Sequence, residues 1–422
     1  MPRLPGGRTS AFHPHIKTDG LGIFPRPGVC DMTEHYKIVI AGSGGIGWAA
    51  GLILRELGDF TCDLFLGDMD LDKARKEADR ITIGSDRTGR VTAFLLPADG
   101  ESPEFETALR GAHILLDCLP GGEAPRMARL AREHHLHYVN LTEYVAETRQ
   151  IEEIARGADR GFLLQAGLAP GVINVLAHHL FQAFCRRHDV EQVDRIAMRV
   201  GALTATAEPP HYYGFTWSTI GVATEYVKPS LVVRNFETHA VPSLDEIRPL
   251  SIRGILYEEA FTSGGAANLP DALAGKVKNL DYKTLRYPGH YAWARNLLAG
   301  APPDTDKIQY LHDRMLETVP RIENDDLVVI YTAVEGRDAR QALHRMEYSQ
   351  VVRPCSVGGH RLQAIQSTTA AGLAEGARFL LKTGRAGVIH QTDIATDQFL
   401  LAGPFVRKLY DLDLETLTAV FR

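Results

Sequence analysis

The chain has 422 residues, 45% of them hydrophobic and 23% charged, which is the balance of a globular protein long enough for two domains. A formal net charge of −6 provides no broad positive field, so nucleic acids and membrane surfaces are not expected partners. No apolar run approaches the roughly 18 residues of a membrane-spanning helix, and five widely separated cysteines are typical of reduced thiols in a cytoplasmic protein.

Residues 1–31 contain several prolines and glycines without a periodic apolar pattern, which predicts a flexible extension. After them, short apolar segments alternate with amphipathic ones, and the connections are short. This alternation predicts an α/β fold, a doubly wound parallel Rossmann sheet, over residues 32–168. The predicted strands are 37–41, 62–66, 91–95, 112–118, 138–140 and 162–165, and the predicted helices are 48–57, 71–81, 104–109, 123–134 and 145–158.

The pattern changes after Pro170, where strands are no longer interleaved one for one with helices. This change predicts an inserted α+β domain with a mixed or antiparallel sheet over residues 169–360. A long amphipathic helix at 362–381 dominates the segment 361–422, which is expected to return and pack on the Rossmann domain. The predicted elements of the inserted domain are a helix at 172–184 and strands at 193–203, 231–236, 241–249, 327–334 and 345–352.

A glycine-rich turn directly after the first predicted strand is the clearest functional motif, Gly42-Ser43-Gly44-Gly45-Ile46-Gly47. It fits the G-x-G-x-x-G pattern, in which glycines allow a tight turn, the approach of a pyrophosphate and close helix packing. Asp68 ends the second predicted strand, where a carboxylate binds the adenosine ribose and repels a 2′-phosphate. The motif therefore predicts NAD in preference to NADP. Asp70 is the alternative acid, and Lys73 or Arg75 would relax the preference toward NADP.

Three later turns are predicted to surround the nicotinamide, because ligands of such sheets lie outside the carboxyl ends of the strands. Cys118-Leu119-Pro120 follows the fourth predicted strand, Asn140 and Thr142 follow the fifth, and Gly167 and Pro170 belong to the turn that closes the last. An ordinary strand-to-helix connection is the alternative interpretation of the first of these turns, and its cysteine also suits the role of a small buried hydrophobe.

Two polar and aromatic segments in the second half, 211–226 and 281–290, are candidates for a substrate pocket. Arg286 or Lys283 suits a carboxylate and aromatic rings suit a methylene chain, which together predict a small amino-acid substrate. His290 is either a proton acceptor or a hydrogen-bonded structural histidine. Alternatively, the aromatic residues fill an interface between subunits. The predicted pocket residues are Tyr213, Thr216, Trp217 and Tyr287.

The adjacent histidines at 134–135 and 178–179 raise the question of a metal site. Neighbouring residues point to different sides of a helix, and no carboxylate or cysteine framework accompanies either pair. No metal site is therefore predicted.

Several motifs together resemble the saccharopine dehydrogenase-like family, and most closely its lysine 6-dehydrogenase branch, from about residue 37 to beyond Asp393. The resemblance implies a Rossmann domain completed by carboxyl-terminal helices, and an inserted domain that carries substrate contacts and the surface of a homodimer. Relatives often carry aspartate where this chain has Asn140, so no acid or base role is expected there. The motifs are the glycine-rich turn, GLAPGVIN at 167–174, Thr216-Trp217-Ser218, Glu225-Tyr226, EAFTSGG at 259–265 and YKTLRYPGH at 282–290.

The resemblance also implies an NAD(P)-dependent oxidoreductase that acts on an amino-acid carbon bearing nitrogen, by oxidative deamination of a diamino acid. A neutral amine would lose hydride to the nicotinamide, and water would hydrolyse the resulting imine to an aldehyde and ammonia. His290 or Glu225 would accept the proton, and Arg286 would bind the carboxylate. Two alternatives stay open: a saccharopine- or carboxyspermidine-type reductase that forms and reduces an imine, and a nonenzymatic redox sensor that binds dinucleotide.

Overall fold

The computed structural model describes residues 34–100, 102–322, 325–413 and 417, and the extension predicted over 1–31 lies outside them. The described strands, in chain order, are β1 (His35–Ala41), β2 (Thr61–Asp68), β3 (Val91–Leu95), β4 (Ile114–Asp117), β5 (His137–Asn140), β6 (Gly161–Leu163), β7 (Val193–Thr204), β8 (Ser230–Arg234), β9 (Glu237–Val241), β10 (Arg248–Ile252), β11 (Ile255–Phe261), β12 (Val277–Arg286), β13 (Asp326–Arg337), β14 (Leu343–Val352), β15 (Cys355–Val357), β16 (His360–Leu362) and β17 (Gly387–Ile389). The described α-helices are α1 (Gly45–Leu57), α2 (Leu71–Ile83), α3 (Pro103–Leu109), α4 (Ala124–Glu133), α5 (Val145–Ala155), α6 (Val172–His188), α7 (Thr219–Val227), α8 (Leu269–Leu273), α9 (His290–Ala299), α10 (Lys307–Thr318), α11 (Ala364–Thr383) and α12 (Pro404–Leu409).

Parallel strands form the first sheet of the described chain, in the order β17-β6-β5-β4-β1-β2-β3. Ile38, Val39 and Ile40 of the central strand β1 are fully buried, as expected for a strand that is covered on both faces. The strand order reverses between β1 and β4, and a reversal of this kind opens a crevice at the carboxyl ends of the strands. The predicted doubly wound parallel sheet is confirmed.

The carboxyl-terminal part of the chain contributes to this first sheet and to the layer that covers it. Strand β17 pairs with β6, and α11 packs on α1 and β5. The close approach of α11 depends on a glycine, because a Cβ at Gly372 would lie 2.4 Å from the carbonyl oxygen of Gly167. The helix ends at Gly384, whose φ of 61° is left-handed and favours glycine.

The second sheet has mixed pairing along the path β10-β11-β12-β7-β13-β14. Strands β12 and β7 are parallel, whereas the other neighbours on this path are antiparallel. Strand β8 pairs with both β12 and β9, and helix α6 packs on β7 and β13. This arrangement confirms the prediction of an α+β region with a mixed sheet, inserted before the residues that complete the first sheet.

The strand predicted at 241–249 is wrong. The end of β9 and the start of β10 lie there, joined by a loop in which Leu244 and Glu246 have φ angles of 62° and 48°. Residues in the left-handed region interrupt an extended backbone, so no single strand can run through this stretch. The elements without a counterpart among the predicted ones are α7, α8, α9, α10, α12, β11, β12, β15, β16 and β17.

Candidate active site

Three glycines shape the loop between β1 and α1. Gly42 has a φ of 98°, and a Cβ on it would lie 2.8 Å from the carbonyl oxygen of Cys118. A Cβ on Gly47 would lie 1.8 Å from the carbonyl oxygen of Gly42, so glycine is required where α1 packs against the loop. A Cβ on Gly44, the residue that precedes α1, would instead meet no described atom within 4 Å. The unpaired amides of the first helical turn, which begins with Gly45 and Ile46, therefore face a space that fits a pyrophosphate.

Asp68 lies at the end of β2, directly beside this loop. Its Oδ2 atom accepts hydrogen bonds from the Ser43 amide at 3.0 Å, the Ser43 hydroxyl at 2.7 Å and the Lys73 ammonium at 2.9 Å. Burial opposes ionisation, but the bonds from Lys73 and Ser43 hold the pKa of Asp68 below its ordinary value. Asp70 instead caps α2 by accepting from the amides of Asp72 and Lys73. Asp68, rather than Asp70, is thus the carboxylate that contacts the glycine-rich loop.

The turns predicted to surround the nicotinamide contact one another at the carboxyl edge of the first sheet. A Cβ on Gly121, in the turn of Cys118, Leu119 and Pro120, would lie 2.4 Å from the Thr142 hydroxyl. Asn140 accepts a hydrogen bond from the Gln165 amide at 2.8 Å, and the Gly167 amide donates to the carbonyl of Pro170 at 3.0 Å. Burial raises the pKa of the Cys118 thiol, so this cysteine stays protonated and unreactive.

Beside these turns lies a cavity of about 270 Å³ between the start of α5 and the end of α7. Thr224, Glu225 and Ser263 are buried and form its floor, whereas Arg149 and Lys228 are exposed at its rim. Its volume suits one small ligand. The complete lining is Glu143, Tyr144, Val145, Ala146, Arg149, Thr224, Glu225, Lys228 and Ser263.

Two carboxyl groups line this cavity. Glu143 lies in the turn between β5 and α5, and Glu225 lies in α7. Burial raises the pKa of Glu225 to about 8; the nearby Arg286 guanidinium opposes this rise and the Glu143 carboxylate adds to it. Burial also raises the pKa of Glu143. A carboxyl group with a pKa near neutrality, as Glu225 has, exchanges protons readily at physiological pH, which is the property required of a general acid or base.

His290 belongs to a chain of hydrogen bonds. The Arg286 Nε atom donates to the Tyr226 hydroxyl at 2.8 Å, and that hydroxyl lies 2.8 Å from Nε2 of His290. The Nδ1 atom of His290 lies 2.6 Å from the carbonyl oxygen of His211, which can only accept, so Nδ1 carries the proton and Nε2 accepts from Tyr226. Burial and the Arg286 charge lower the pKa of His290 to about 3. Both ring nitrogens of the neutral imidazole are therefore already engaged.

Arg286 is fully buried at the head of this chain. Its Nη1 atom donates to the carbonyl of Leu285 at 3.0 Å, and its guanidinium lies 4.6 Å from the centre of the Tyr213 ring. The guanidinium acts on Glu225 through its charge, which favours the ionised carboxylate.

Of the predicted pocket residues, Tyr213 and Trp217 share one apolar cluster, but the four do not all lie together. Tyr213 packs edge-on against His290, with 5.2 Å between ring centres, and Trp217 precedes α7. Thr216 is buried, whereas the Tyr287 hydroxyl donates to the carbonyl of Thr204 at 2.9 Å in a different apolar cluster. In the described part of the chain, these four residues are not among those that line the cavity.

Lys283 lies on the opposite face of β12 from Arg286, since the two are three residues apart on a strand. Its ammonium lies 2.8 Å from the carbonyl oxygen of Glu246 and 3.4 Å from a carboxyl oxygen of Glu259. Glu259 also pairs with Arg199, whose guanidinium lies 2.7 Å from the carboxylate of Asp281. Lys283 is thus part of a buried ion network and is separate from the cavity.

We expect Lys283→Met to lower the free energy of unfolding by about 3 kcal/mol, because it leaves a buried carboxylate with one partner fewer. Urea denaturation measures this loss, and kcat should stay close to that of the unmodified chain. Lys278→Met changes an exposed lysine of the same strand and should shift stability by less than about 0.5 kcal/mol. A large fall in kcat at unchanged stability would place Lys283 at the substrate instead.

Comparison with protein-family models accounts for most of the chain. The saccharopine dehydrogenase NADP binding domain matches residues 38–161, and the saccharopine dehydrogenase C-terminal domain matches residues 167–410. The chain belongs to the saccharopine dehydrogenase family. It is an NAD(P)-binding oxidoreductase of that family, and the open space at Gly44 beside an ionised Asp68 is consistent with the cofactor.

Solved structures share the fold of this family member. Saccharopine dehydrogenase (L-Glu forming) from Saccharomyces cerevisiae is 15% identical with a TM-score of 0.67, over 87% of this chain and 96% of that one. Homospermidine synthase from Legionella pneumophila, in complex with NAD, is 12% identical with a TM-score of 0.61, over 89% of this chain and 91% of that one. At such identities the likeness concerns the fold alone.

Arg149 and Lys228 were absent from the candidates predicted by sequence, and Glu143 was part of a candidate turn but was not itself singled out. Glu143 stands in the turn after β5, three residues beyond Asn140, so its place after a strand was an available signal. The two cations lie on helical surfaces, where charged residues are common and carry no local signal. Across the described residues, no helix is long and apolar enough to cross a membrane, and no group of three potential metal ligands occurs.

Proposed function

We propose that this family member oxidises a primary amine of a diamino acid, in the manner of lysine 6-dehydrogenase. The observation that carries the proposal is Glu225, a buried carboxyl group with a raised pKa on the floor of a small cavity. The cavity adjoins the turns at the carboxyl edge of the parallel sheet, where ligands of this fold lie. A base at this position can deprotonate a substrate ammonium next to the cofactor.

The chain's own residues would prepare the substrate in three ways. Glu225 accepts a proton from the ammonium group, since only the neutral amine can lose hydride from its carbon. Arg286 keeps part of the Glu225 population ionised, and its own position is held by Tyr226 and Leu285. The buried floor limits water around the reacting carbon. The bound nicotinamide dinucleotide supplies the hydride acceptor.

The buried acid in the cavity distinguishes an enzyme from a nonenzymatic redox sensor. A redox sensor has no need of a buried acid that titrates near neutral pH inside a ligand-sized cavity. A reductase that joins an amine to a carbonyl compound differs from the proposed enzyme in requiring a carbonyl co-substrate.

A screen of cofactor reduction tests the proposal. L-lysine, L-ornithine, saccharopine and related diamines are offered with NAD and with NADP, while dinucleotide absorbance and ammonia release are followed. Ammonia release from a diamino acid without a carbonyl co-substrate supports the deaminating function. Activity that requires a keto acid or an aldehyde overturns it in favour of imine reduction.

We propose NAD as the preferred cofactor of this reaction, supported by the ionised Asp68 at the ribose end of the loop. The ion pair with Lys73 offsets part of the repulsion toward a 2′-phosphate, so NADP is expected to work less well rather than not at all. Assembly as a cytoplasmic homodimer stays a prediction of the sequence resemblance, and light scattering of the purified chain measures its mass.

A further inference from the structure

The cavity combines an acidic group with two cations. Its buried floor carries the carboxyl group of Glu225, and its exposed rim carries the cations of Arg149 and Lys228. Arg149 lies on α5, between β5 and β6 of the first sheet, and Lys228 directly follows α7, which precedes β8 of the second sheet. The two cations therefore reach one rim from separate parts of the fold.

Both rim cations are available to a ligand. Within the described residues, neither Arg149 nor Lys228 forms an ion pair, and the Lys228 ammonium lies 4.9 Å from the centre of the Tyr144 ring. The Lys228 charge also opposes the rise that burial causes in the pKa of Glu143. An anion at the rim would thus meet the charges of Arg149 and Lys228, of which Lys228 also acts on the nearby Glu143 carboxyl group.

We propose that Arg149 and Lys228 bind the carboxylate of the amino-acid substrate and so select amino acids over free diamines. The inference rests on the proposed function, because an amine held at Glu225 directs the far end of the substrate toward the rim. A carboxylate at that end is attracted by two cations, whereas the second ammonium of a diamine is repelled by them. Arg286, which the sequence favours for this role, already donates to Tyr226 and Leu285 and is not part of the cavity lining.

Substitution of the rim cations, with two substrates of equal chain length, tests this inference. Arg149→Gln and Lys228→Gln are each expected to raise the KM for L-lysine about 10-fold, and the double variant more. The KM for 1,5-diaminopentane should stay unchanged or fall, because a repulsive charge is removed. Lys278→Gln, an exposed cation far along β12, is the matched control and should alter neither value.

Calorimetry of L-lysine binding to the full chain loaded with dinucleotide separates this inference from the proposed function. If no amine is oxidised but L-lysine binds and the rim variants lose that binding, the rim assignment stands and the proposed reaction fails. If lysine is oxidised and the rim variants leave its KM and dissociation constant unchanged, the rim assignment is wrong. An equal rise of KM for both substrates also overturns it, as does a specific loss of lysine binding in Arg286→Met alone.

Discussion

Glu225→Gln is expected to lower kcat/KM for the amine substrate by about 10²- to 10⁴-fold, the usual contribution of a general base. The amide has nearly the shape of the carboxyl group but cannot accept the ammonium proton. Steady-state rates at saturating dinucleotide measure the loss, and calorimetry should show unchanged dinucleotide affinity, since Glu225 lies outside the glycine-rich loop. Glu237→Gln alters an exposed carboxylate on β9 and should leave the rate unchanged.

The same residue predicts the pH dependence of the rate. The active form of Glu225 is ionised, so kcat/KM should fall as the pH drops below about 8. Arg286→Met removes the charge that favours this ionised form and should move the acid limb to higher pH. Rates measured between pH 6 and 10 check both statements. A limb that survives in the residual activity of Glu225→Gln would show that another group controls it.

The ionised form of Glu225 should also lower the free energy of unfolding of the protein. Its pKa is raised from 4.5 to about 8, so the folded state favours the protonated form, and the cost of holding it begins above pH 4.5 and grows up to about pH 8. Glu225→Gln removes that cost and should raise Tm at pH 8, with a gain that shrinks as the pH approaches 4.5. Thermal unfolding at the two pH values measures the difference. An equal Tm shift at both would contradict the assigned pKa.

Gly44→Val is the substitution with the largest expected effect on the cofactor. The Gly44 backbone has a φ of −61°, which any residue adopts, and a Cβ there meets no described atom within 4 Å. The fold should therefore tolerate valine, while its side chain occupies the space of the pyrophosphate. We expect dinucleotide affinity to fall by at least about 10-fold, roughly 1.4 kcal/mol.

The control for this substitution lies outside the loop. Gly300→Ala also has a compatible backbone, with a φ of −82° and no contact below 3.4 Å, and it should leave dinucleotide binding intact. Calorimetry gives the affinities and thermal unfolding gives the stabilities. If a folded Gly44→Val chain binds dinucleotide as tightly as the unmodified chain, the pyrophosphate does not lie at this loop. The proposed chemistry would then lose its hydride acceptor at this site.

Prediction of the substrate side was less complete than prediction of the cofactor side. The segment 281–290 attracts attention because it is polar and aromatic, yet most of it continues β12, whose side chains alternate between two faces. Lys283 therefore joins Glu259 in a buried ion network, while Arg286 joins Tyr226. The polar strand β12 can be buried because its charged side chains pair with residues of β7 and β11. These partners are distant in the sequence, so the local pattern of β12 does not predict them.

By itself the sequence determined the order of β1, the glycine-rich turn, α1 and β2, the presence of a second region with a mixed sheet, and the family. These features depend on the spacing of hydrophobic residues, the positions of glycines and short motifs, which are all properties of residues close together in the chain. Only the tertiary structure decided which polar groups share a cavity. Glu143 lies in the turn after β5 and Glu225 lies in α7, so only the packing of the chain brings them to one cavity. Both ring nitrogens of His290 are hydrogen-bonded, one to the Tyr226 hydroxyl and the other to the carbonyl oxygen of His211. These contacts join residues that are far apart in the chain. They depend on how the two sheets and their helices pack, and local sequence patterns do not report that packing.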